Sequence, residues 1–174
     1  LVTNHPGVGG SHLPDVTIVC PVFSDTEKLI GFLVNRAHHA ELGGVSPGSM
    51  PPAARSLAEE GVVIPPTTIM SEGVLDLSPL ESLLKDGPYP SRRVEENLSD
   101  LKAQVAANLK GKDDLEELLH IHGASKVTGF MNAIQARAEA SLRKKLSAMP
   151  DGEYGAKQKL DDGTPLEVTA CVSG

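Results

Sequence analysis

Two apolar runs lie close together near the N-terminus of this 174-residue chain. Residues 16–23 and 29–34 are rich in Val, Ile, Leu and Phe, and the polar segment 24–28 separates them. β-branched and aromatic residues favour strands, and a short polar segment between two such runs is typical of a turn. The pattern therefore predicts an antiparallel hairpin in which Phe23 faces Leu29.

Apolar residues recur at helical spacing further along the chain. One stripe predicts a helix that begins near residue 94 and ends at Gly111, and a second helix is predicted over 113–123. The longest helix is predicted from Ser125 to about Met149, and a β-hairpin follows it. The first of these helices places five apolar residues on one face: Val94, Leu98, Leu101, Val105 and Leu109.

These elements define an α+β fold with three regions. Residues 1–86 form a β-hairpin-rich part that carries a Gly/Pro-rich loop and the candidate metal and substrate site. Residues 87–150 form a helical part, and residues 151–174 begin a further β region with a truncated hairpin. The first boundary rests on the Gly/Pro/Ser-rich segment 86–93.

The predicted hairpin brings histidines and a carboxylate together. Pairing outward from the turn carries Asp15 to the region of Ala37, so that His12, Asp15, His38 and His39 converge. Imidazole and carboxylate groups are ligands that suit Zn²⁺, Mn²⁺ or Fe²⁺. We therefore interpret these four residues as candidate metal ligands. The alternative is that the histidines cap the strand ends and bond to backbone carbonyls.

The register of the hairpin decides which histidine belongs to the site. Adjacent strand residues point to opposite faces, so at most one of His38 and His39 can share a face with Asp15. A change of one residue in the register exchanges them. Pro14 disfavours strand pairing and can bend the chain so that His12 turns toward Asp15.

The segment 43–52, Gly-Gly-Val-Ser-Pro-Gly-Ser-Met-Pro-Pro, excludes regular helix and sheet and predicts a shaped loop. Beside the histidines, such a loop can offer backbone N–H groups and hydroxyls to a substrate carboxylate or oxyanion. The alternative is a connection stiffened by proline. The candidate substrate-binding residues are Asn4, Ser46, Gly48 and Ser49.

A polar line on the helix that begins near residue 94 is mostly uncharged. We interpret this line as a solvated face. Packing against another polar surface is the alternative, because an exposed helix face normally carries Lys and Glu and this line is rich in amides. Glu41, just beyond the second strand, is interpreted as an exposed charge, with orientation of a ligand histidine as the alternative. The polar line consists of Asn97, Asp100, Gln104 and Asn108.

Composition and charge narrow the classes of partner. The formal net charge of -7 argues against nucleic acid or an anionic membrane surface. No apolar stretch approaches about 18 residues, so no membrane-spanning helix is expected. Cys20 and Cys171 lie far apart in the chain and are interpreted as reduced, buried thiols of a cytoplasmic protein.

Four segments resemble the hydantoinase B/5-oxoprolinase family. They are N-H-P-x-x-G-G-S-H-L-P-D at 4–15, N-R-A-H-H-A-E-L-G-G-V-S-P-G-S-M-P-P at 35–52, E-E-G-V-V-I-P-P at 59–66 and N-L-S-D-L-K-A-Q-V-A-A-N at 97–108. That family includes ATP-dependent openers of cyclic amides, such as 5-oxoprolinase and N-methylhydantoinase, and related acetone and acetophenone carboxylases. The first segment is more similar to the 5-oxoprolinase branch.

The resemblance implies a division of labour within a multi-subunit protein. A hydantoinase A-type subunit or domain would bind ATP and phosphorylate the amide carbonyl oxygen. This chain would open the activated ring, 5-oxoproline or a hydantoin, with water at a divalent metal, with His12, Asp15 and His38 as catalytic residues. The resemblance also implies a glutamate ligand upstream of Leu1. We therefore expect an internal fragment that is inactive in isolation.

Two other functions remain open on the sequence. The chain could belong to the alpha subunit of an ATP-dependent ketone carboxylase, where the metal would join an enolate-like nucleophile to activated bicarbonate. It could instead be a non-catalytic assembly module whose histidine cluster is structural. Bicarbonate dependence would identify the first, and a lack of bound metal would favour the second.

Overall fold

A computed structural model describes residues 1–173, so Gly174, the last residue of the predicted C-terminal region, lies outside the described part. Strands come first, helices follow and a two-stranded hairpin ends the chain, which confirms the α+β prediction. The elements are β1 (Val2–Thr3), a 3₁₀ helix (Pro6–Val8), β2 (Asp15–Phe23), β3 (Leu29–His38), α1 (Leu57–Glu60), β4 (Met70–Ser71), β5 (Val74–Leu75), α2 (Ser78–Lys85), α3 (Val94–His122), α4 (Ala124–Leu146), β6 (Gly152–Lys159) and β7 (Pro165–Val172).

The chain forms two compact units, Leu1–Ala124 and a second unit that begins at Ser125. In the first unit, β2 lies between β1 and β3 in an antiparallel sheet, and Phe23 pairs with Leu29 as predicted. The three-region division at residues 86 and 150 stays a prediction.

An irregularity near the turn sets the register of the β2–β3 hairpin. β3 contributes one extra residue, Ile30, between the pairs formed by Val22 and Phe23. Beyond this bulge the pairing differs by one residue from the predicted register, and Asp15 faces His38. Because side chains alternate between the two faces of a strand, the bulge decides which side chains share the face of Asp15.

The helix α3 packs against β2 and β3 and closes the core of the first unit. Its apolar residues recur every three or four positions, and Leu98, Leu101 and Val105 are buried. Each such side chain contributes about 1.5–3 kcal/mol when it is fully buried. The same core contains Val2, Val16, Ile18, Leu42, Val62, Ile64, Ile69, Leu80 and Leu84.

The prediction that a helix ends at Gly111 is wrong. α3 runs from Val94 to His122 without a break, so the two predicted helices are one. A glycine inside a helix costs about 1 kcal/mol relative to alanine, which the packing of the rest of α3 against the sheet outweighs. An ion pair with i,i+4 spacing also spans this point, Lys110–Asp114, and a second one, Lys112–Glu116, follows directly after it.

The second unit consists of α4 and the β6–β7 hairpin. No side chain of α4 is buried among the residues that the structure describes. β6 and β7 pair from Gly152–Val172 to Lys159–Pro165. Four large apolar side chains of α4 are exposed, namely Phe130, Ile134, Leu142 and Leu146.

Two expectations from composition can be compared with the structure. Both cysteines are free, but Cys20 is half-buried and Cys171 is exposed, so the expectation that they are buried is wrong. Cys171 lies on β7, in which every residue except Val172 is exposed. Among the described residues, no helix combines the length with the apolar character that a bilayer crossing requires.

A buried carboxylate joins the end of the hairpin to the start of α3. Glu41 is only 6% exposed, so its interpretation as an exposed charge is wrong. Its carboxylate accepts hydrogen bonds from the N–H groups of Gly43 and Arg92, from the Ser91 hydroxyl and from the Arg92 guanidinium. Burial by itself raises the pKa of Glu41, but these hydrogen bonds outweigh it and hold that pKa below its ordinary value.

This carboxylate makes the stability of the fold depend on pH. Because the pKa of Glu41 is lower in the folded than in the unfolded chain, its contribution is complete above the unfolded pKa of about 4.3 and is lost as the pH falls through the folded value. We expect the free energy of unfolding to fall more steeply below about pH 5 in the wild type than in Glu41→Gln. Urea unfolding at a series of pH values measures this difference.

The matched control is Glu95→Gln, which changes an exposed carboxylate in the first turn of α3. Its pH dependence should follow that of the wild type. A Glu41→Gln variant with an unchanged pH dependence would show that the Glu41 carboxylate is not favoured by the fold.

Candidate metal centre

Three side chains meet at the end of the β2–β3 hairpin that lies opposite its turn. Asp15 begins β2, His38 ends β3, and the register pairs them directly. His12 reaches the same place through a turn that contains Pro14, closed by a 3.1 Å hydrogen bond from the Asp15 N–H to the His12 carbonyl. The structure therefore brings together three of the four predicted metal ligands. We call His12, Asp15 and His38 the metal group.

The geometry of these three donors suits a single ion. Their candidate ligand atoms lie within 4.8 Å of one another. His12 Nε2 is 3.4 Å from Asp15 Oδ2, and His38 Nδ1 is 3.2 Å from Asp15 Oδ1. Two ligands at about 2.1 Å from one tetrahedral ion are about 3.4 Å apart, which is close to the observed spacing. The donor set of two imidazoles and a carboxylate fits a divalent transition metal.

The group is open to solvent on one side. The side chain of His38 is 54% exposed and that of Asp15 is 20% exposed, so a small molecule can reach them. On the inner side, His12 Nδ1 is buried and has no hydrogen-bond partner among residues 1–173. Because a buried nitrogen without a partner is unfavourable, the His12 ring has binding capacity that the described residues do not use.

His39, the fourth predicted ligand, lies apart from this group in the interior of the first unit. It is 1% exposed. Its Nδ1 is 2.8 Å from Asn97 Oδ1, and its Nε2 is 3.0 Å from Gln104 Oε1. Because neighbouring residues at the end of β3 point in opposite directions, His38 faces the open side while His39 faces α3.

The polar line of α3 packs against the hairpin. Asn97, Gln104 and Asn108 are buried, whereas Asp100 is exposed, so the interpretation of this line as a solvated face is wrong for the three amides. Asn35 of β3 joins the same set through bonds to Gln104 and Asn108. The side-chain NH₂ group of Asn97 donates to the Glu41 carbonyl, that of Gln104 to the Val16 carbonyl and that of Asn108 to the Ile18 carbonyl. We call Asn35, His39, Asn97, Gln104 and Asn108 the buried amide network.

The backbone fixes the orientation of the two amides beside His39. Since the NH₂ groups of Asn97 and Gln104 donate to backbone carbonyls, their oxygen atoms face the imidazole. Both ring nitrogens therefore face amide oxygens of α3. His39 thus ties the end of β3 to α3.

This chain is similar in sequence to proteins of one known family. Residues 1–174 match the family described as Hydantoinase B/oxoprolinase. The chain belongs to this family. The 5-oxoprolinase of Saccharomyces cerevisiae is 39% identical over 182 residues, which cover 99% of this chain and 14% of that protein. The 5-oxoprolinase 1 of Arabidopsis thaliana is 42% identical over 160 residues, which cover 86% of this chain and 12% of that protein.

Solved structures of larger proteins share the fold. The ATP-dependent caprolactamase from Pseudomonas jessenii matches with a TM-score of 0.86 and 27% identity, over 99% of this chain and 30% of that one. A nucleotide-free structure of acetone carboxylase matches with a TM-score of 0.69 and 17% identity, which shows the fold alone. The family resemblance of the sequence motifs is confirmed, and the chain spans a minor part of each of these relatives.

The predicted substrate contacts of this hydantoinase B/oxoprolinase-family chain occupy different environments. The buried Ser49 hydroxyl accepts a 2.7 Å bond from the Leu42 N–H and donates a 2.6 Å bond to the Gly43 carbonyl. Ser46 is half-buried and Gly48 is exposed. Substrate contact by Ser46 and Gly48 stays a prediction, whereas the hydroxyl of Ser49 is engaged within the fold.

Asn4 is likewise engaged within the fold. It is 1% exposed, and its amide bridges three backbone groups. Its Nδ2 donates to the carbonyls of Leu13 and Val62, both at 2.9 Å, and its Oδ1 accepts from the Ile64 N–H at 2.7 Å. These bonds join the N-terminal loop to the segment before β4 and thereby support the turn that carries His12.

One residue beside the metal group was not identified from the sequence. Arg36 lies two residues before His38 on β3 and pairs with Thr17 of β2. Residues two apart share a face of a strand, so this periodicity was the available signal. Without the register, this spacing did not place Arg36 beside the metal group, because single charged residues are common on the exposed face of a strand.

Substitution of His39 tests whether the buried amide network stabilises the fold. We expect His39→Leu to lower the free energy of unfolding by about 2–4 kcal/mol, because the buried amides of Asn97 and Gln104 lose their imidazole partner. The matched control is His38→Leu, an exposed neighbour, which should change stability by less than about 0.5 kcal/mol in metal-free buffer. Chemical denaturation measures both. Equal losses for the two variants would contradict a structural role specific to His39.

Proposed function

We propose that this chain is the hydrolytic part of an ATP-dependent, 5-oxoprolinase-type enzyme, in which the cyclic amide 5-oxoproline is opened by water. The observation that carries the proposal is the group of His12, Asp15 and His38 at an accessible end of the sheet. Membership in the Hydantoinase B/oxoprolinase family supports the class of reaction. Because the chain is a small part of its relatives, the activity is proposed for the longer protein.

The three side chains would hold a divalent cation such as Zn²⁺, Mn²⁺ or Fe²⁺. Such an ion, when bound, acidifies water and stabilises negative charge on a reacting oxygen. Asp15 approaches His12 with one carboxylate oxygen and His38 with the other, so it can orient both imidazoles. His39 and α3 hold the backbone of His38 from the opposite side, which limits movement of that ligand.

In this proposal, ATP is used by a hydantoinase A-type subunit or domain. That partner transfers the terminal phosphoryl group of ATP to the amide carbonyl oxygen and releases ADP. Water then adds to the carbonyl carbon, the ring C–N bond breaks with protonation of nitrogen, and an acyl phosphate remains. A second water converts it into a carboxylate and inorganic phosphate. This chain contains no G-x-x-x-x-G-K-[ST] phosphate-binding pattern, so ATP is assigned to the partner.

Metal content tests the first part of the proposal. We expect the full-length protein to hold about one divalent ion per copy of this chain, and His12→Ala and His38→Ala to bind it at least about a hundredfold more weakly. Elemental analysis and competition with a metallochromic chelator measure both quantities. His120→Ala, which changes an exposed histidine near the end of α3, is the control and should retain the ion.

If the wild type holds no ion, the non-catalytic assembly role is favoured instead. Normal metal affinity in both His12→Ala and His38→Ala would show that the ligands are other residues.

Turnover tests the second part. In the complete enzyme with its partner, we expect His12→Ala and Asp15→Ala to abolish ring opening while ATP hydrolysis by the partner is affected less, because phosphorylation occurs elsewhere. Release of glutamate and of phosphate from 5-oxoproline and ATP are measured in parallel. Full ring opening by His12→Ala would refute the assignment, and bicarbonate-dependent product formation would identify a carboxylase.

A further inference from the structure

A guanidinium lies on the rung of the sheet next to the metal group. The register pairs Asp15 with His38 and Thr17 with Arg36. Residues two apart on a strand share a face and are about 7 Å apart along it. Arg36 is therefore one step along the same open face from Asp15 and His38, and it is exposed.

Neutral acceptors hold this guanidinium in place. Arg36 Nε donates to Thr17 Oγ1 at 2.9 Å, and Arg36 Nη2 donates to the Gly9 carbonyl at 3.1 Å. Thr17 belongs to β2, and Gly9 belongs to the loop that leads into His12. The side chain is thus oriented by the two segments that also position the metal group.

The positive charge of Arg36 is not neutralised. No carboxylate of residues 1–173 lies within ion-pair distance of its guanidinium, and its Nη1 group makes no hydrogen bond to these residues. Three of the other five arginines have a carboxylate partner among residues 1–173, namely Arg92 with Glu41, Arg93 with Glu96 and Arg143 with Glu139. Arg36 differs from these three because its guanidinium is held by a hydroxyl and a carbonyl oxygen. In a chain with a net charge of -7, an ordered arginine held only by neutral oxygens keeps its charge and free donors for a ligand.

The face beyond Arg36 is apolar. The next rung pairs Val19 with Val34, and the following one pairs Pro21 with Phe32. Val34 is 59% exposed and Phe32 is 60% exposed. The open face therefore presents, in order along the strands, a metal group, a guanidinium and a hydrocarbon floor. This order suits a small molecule that carries an oxyanion on a hydrocarbon frame.

We propose that Arg36 is the anion-binding subsite of this centre and binds an oxyanion of the substrate while the reacting carbonyl lies at His12, Asp15 and His38. This inference rests on the proposed function. A guanidinium binds carboxylate and phosphate through two parallel N–H···O bonds, and Nη1 and the second hydrogen of Nη2 are free to do so.

Two groups of the substrate could supply this oxyanion. One is the ring carboxylate of 5-oxoproline, and the other is the phosphoryl group on the activated carbonyl. The two sources predict different substrate dependence. If Arg36 binds the ring carboxylate, a lactam without a carboxylate does not need Arg36. If Arg36 binds the phosphoryl group, every lactam that is phosphorylated on its carbonyl oxygen needs it. Binding of 5-oxoproline, of 2-pyrrolidinone and of inorganic phosphate therefore separates them.

The test uses the full-length, Mn²⁺-loaded protein and compares wild type, Arg36→Gln, Arg36→Lys and the control Arg137→Gln on α4. Calorimetry measures the affinity for Mn²⁺, 5-oxoproline, 2-pyrrolidinone and inorganic phosphate. We expect all four proteins to bind Mn²⁺ equally and Arg36→Gln to lose about tenfold or more in anion affinity. Arg36→Lys, which keeps the charge but not the fork, should lie between the two. Arg137→Gln should match the wild type.

The pattern of loss identifies the source of the anion. If the ring carboxylate is bound, Arg36→Gln loses affinity for 5-oxoproline but not for 2-pyrrolidinone. If the phosphoryl group is bound, the loss appears with inorganic phosphate and not with either lactam. Both patterns support the subsite.

Two results would overturn it. They are unchanged anion affinity in Arg36→Gln, and an equal loss for 5-oxoproline and 2-pyrrolidinone, which a purely structural role would produce. Anion binding by Arg36→Lys as weak as by Arg36→Gln would show that the contact needs the guanidinium fork and not only the charge. Failure of the wild type to bind Mn²⁺ would instead refute the proposed function, so the two failures are distinguishable. If Arg36→Gln does not fold, the comparison of Arg36→Lys with wild type decides between a fork-dependent anion contact and none.

Discussion

The register of the β2–β3 hairpin is the constraint on which the rest of the site depends. One extra residue, Ile30, lies beside the turn, and every pair beyond it is displaced by one position. Because side chains alternate between the faces of a strand, that single residue places His38 and Arg36 on the open face and His39 toward α3. A hairpin without the bulge would pair Asp15 with Ala37 and place His39 instead of His38 on the face of Asp15.

The buried amide network makes this register hard to change. A slip of β3 by one residue would withdraw His39 from Asn97 and Gln104 and leave several buried polar groups without partners. Each such loss costs about 1–3 kcal/mol, which is large beside a typical domain stability of about 5–15 kcal/mol. An apolar interface between helix and sheet would fill the same space but would tolerate a displaced strand more easily, because van der Waals contacts are not directional. The network therefore explains how the end of a hairpin can present ligands at fixed positions.

Charge is distributed between the two sides of this region in a way that suits the proposed chemistry. Behind the hairpin, the buried Glu41 carboxylate is neutralised by Arg92, whose side chain is 43% exposed. On the open face, one carboxylate lies between two imidazoles, and Arg36 stands beside them without an acidic partner among the described residues. A bound divalent cation would exceed the single negative charge of Asp15, so the face as a whole would attract anions.

The sequence by itself determined the elements that depend on local pattern and the family to which the chain belongs. Alternating and helical periodicities were enough for β2, β3 and the apolar stripe of α3, because these periods follow from backbone geometry. His12, Asp15 and the pair His38 and His39 were recognisable as candidates because a hairpin must bring its ends together, but the pattern left open which of the two histidines lies beside Asp15. Only the tertiary structure decided the bulge at Ile30, the burial of His39 and Glu41, the continuity of α3 through Gly111 and the place of Arg36. Each of these depends on contacts with distant parts of the chain. The packing energy of such contacts cannot be read from the spacing of residues in the local sequence.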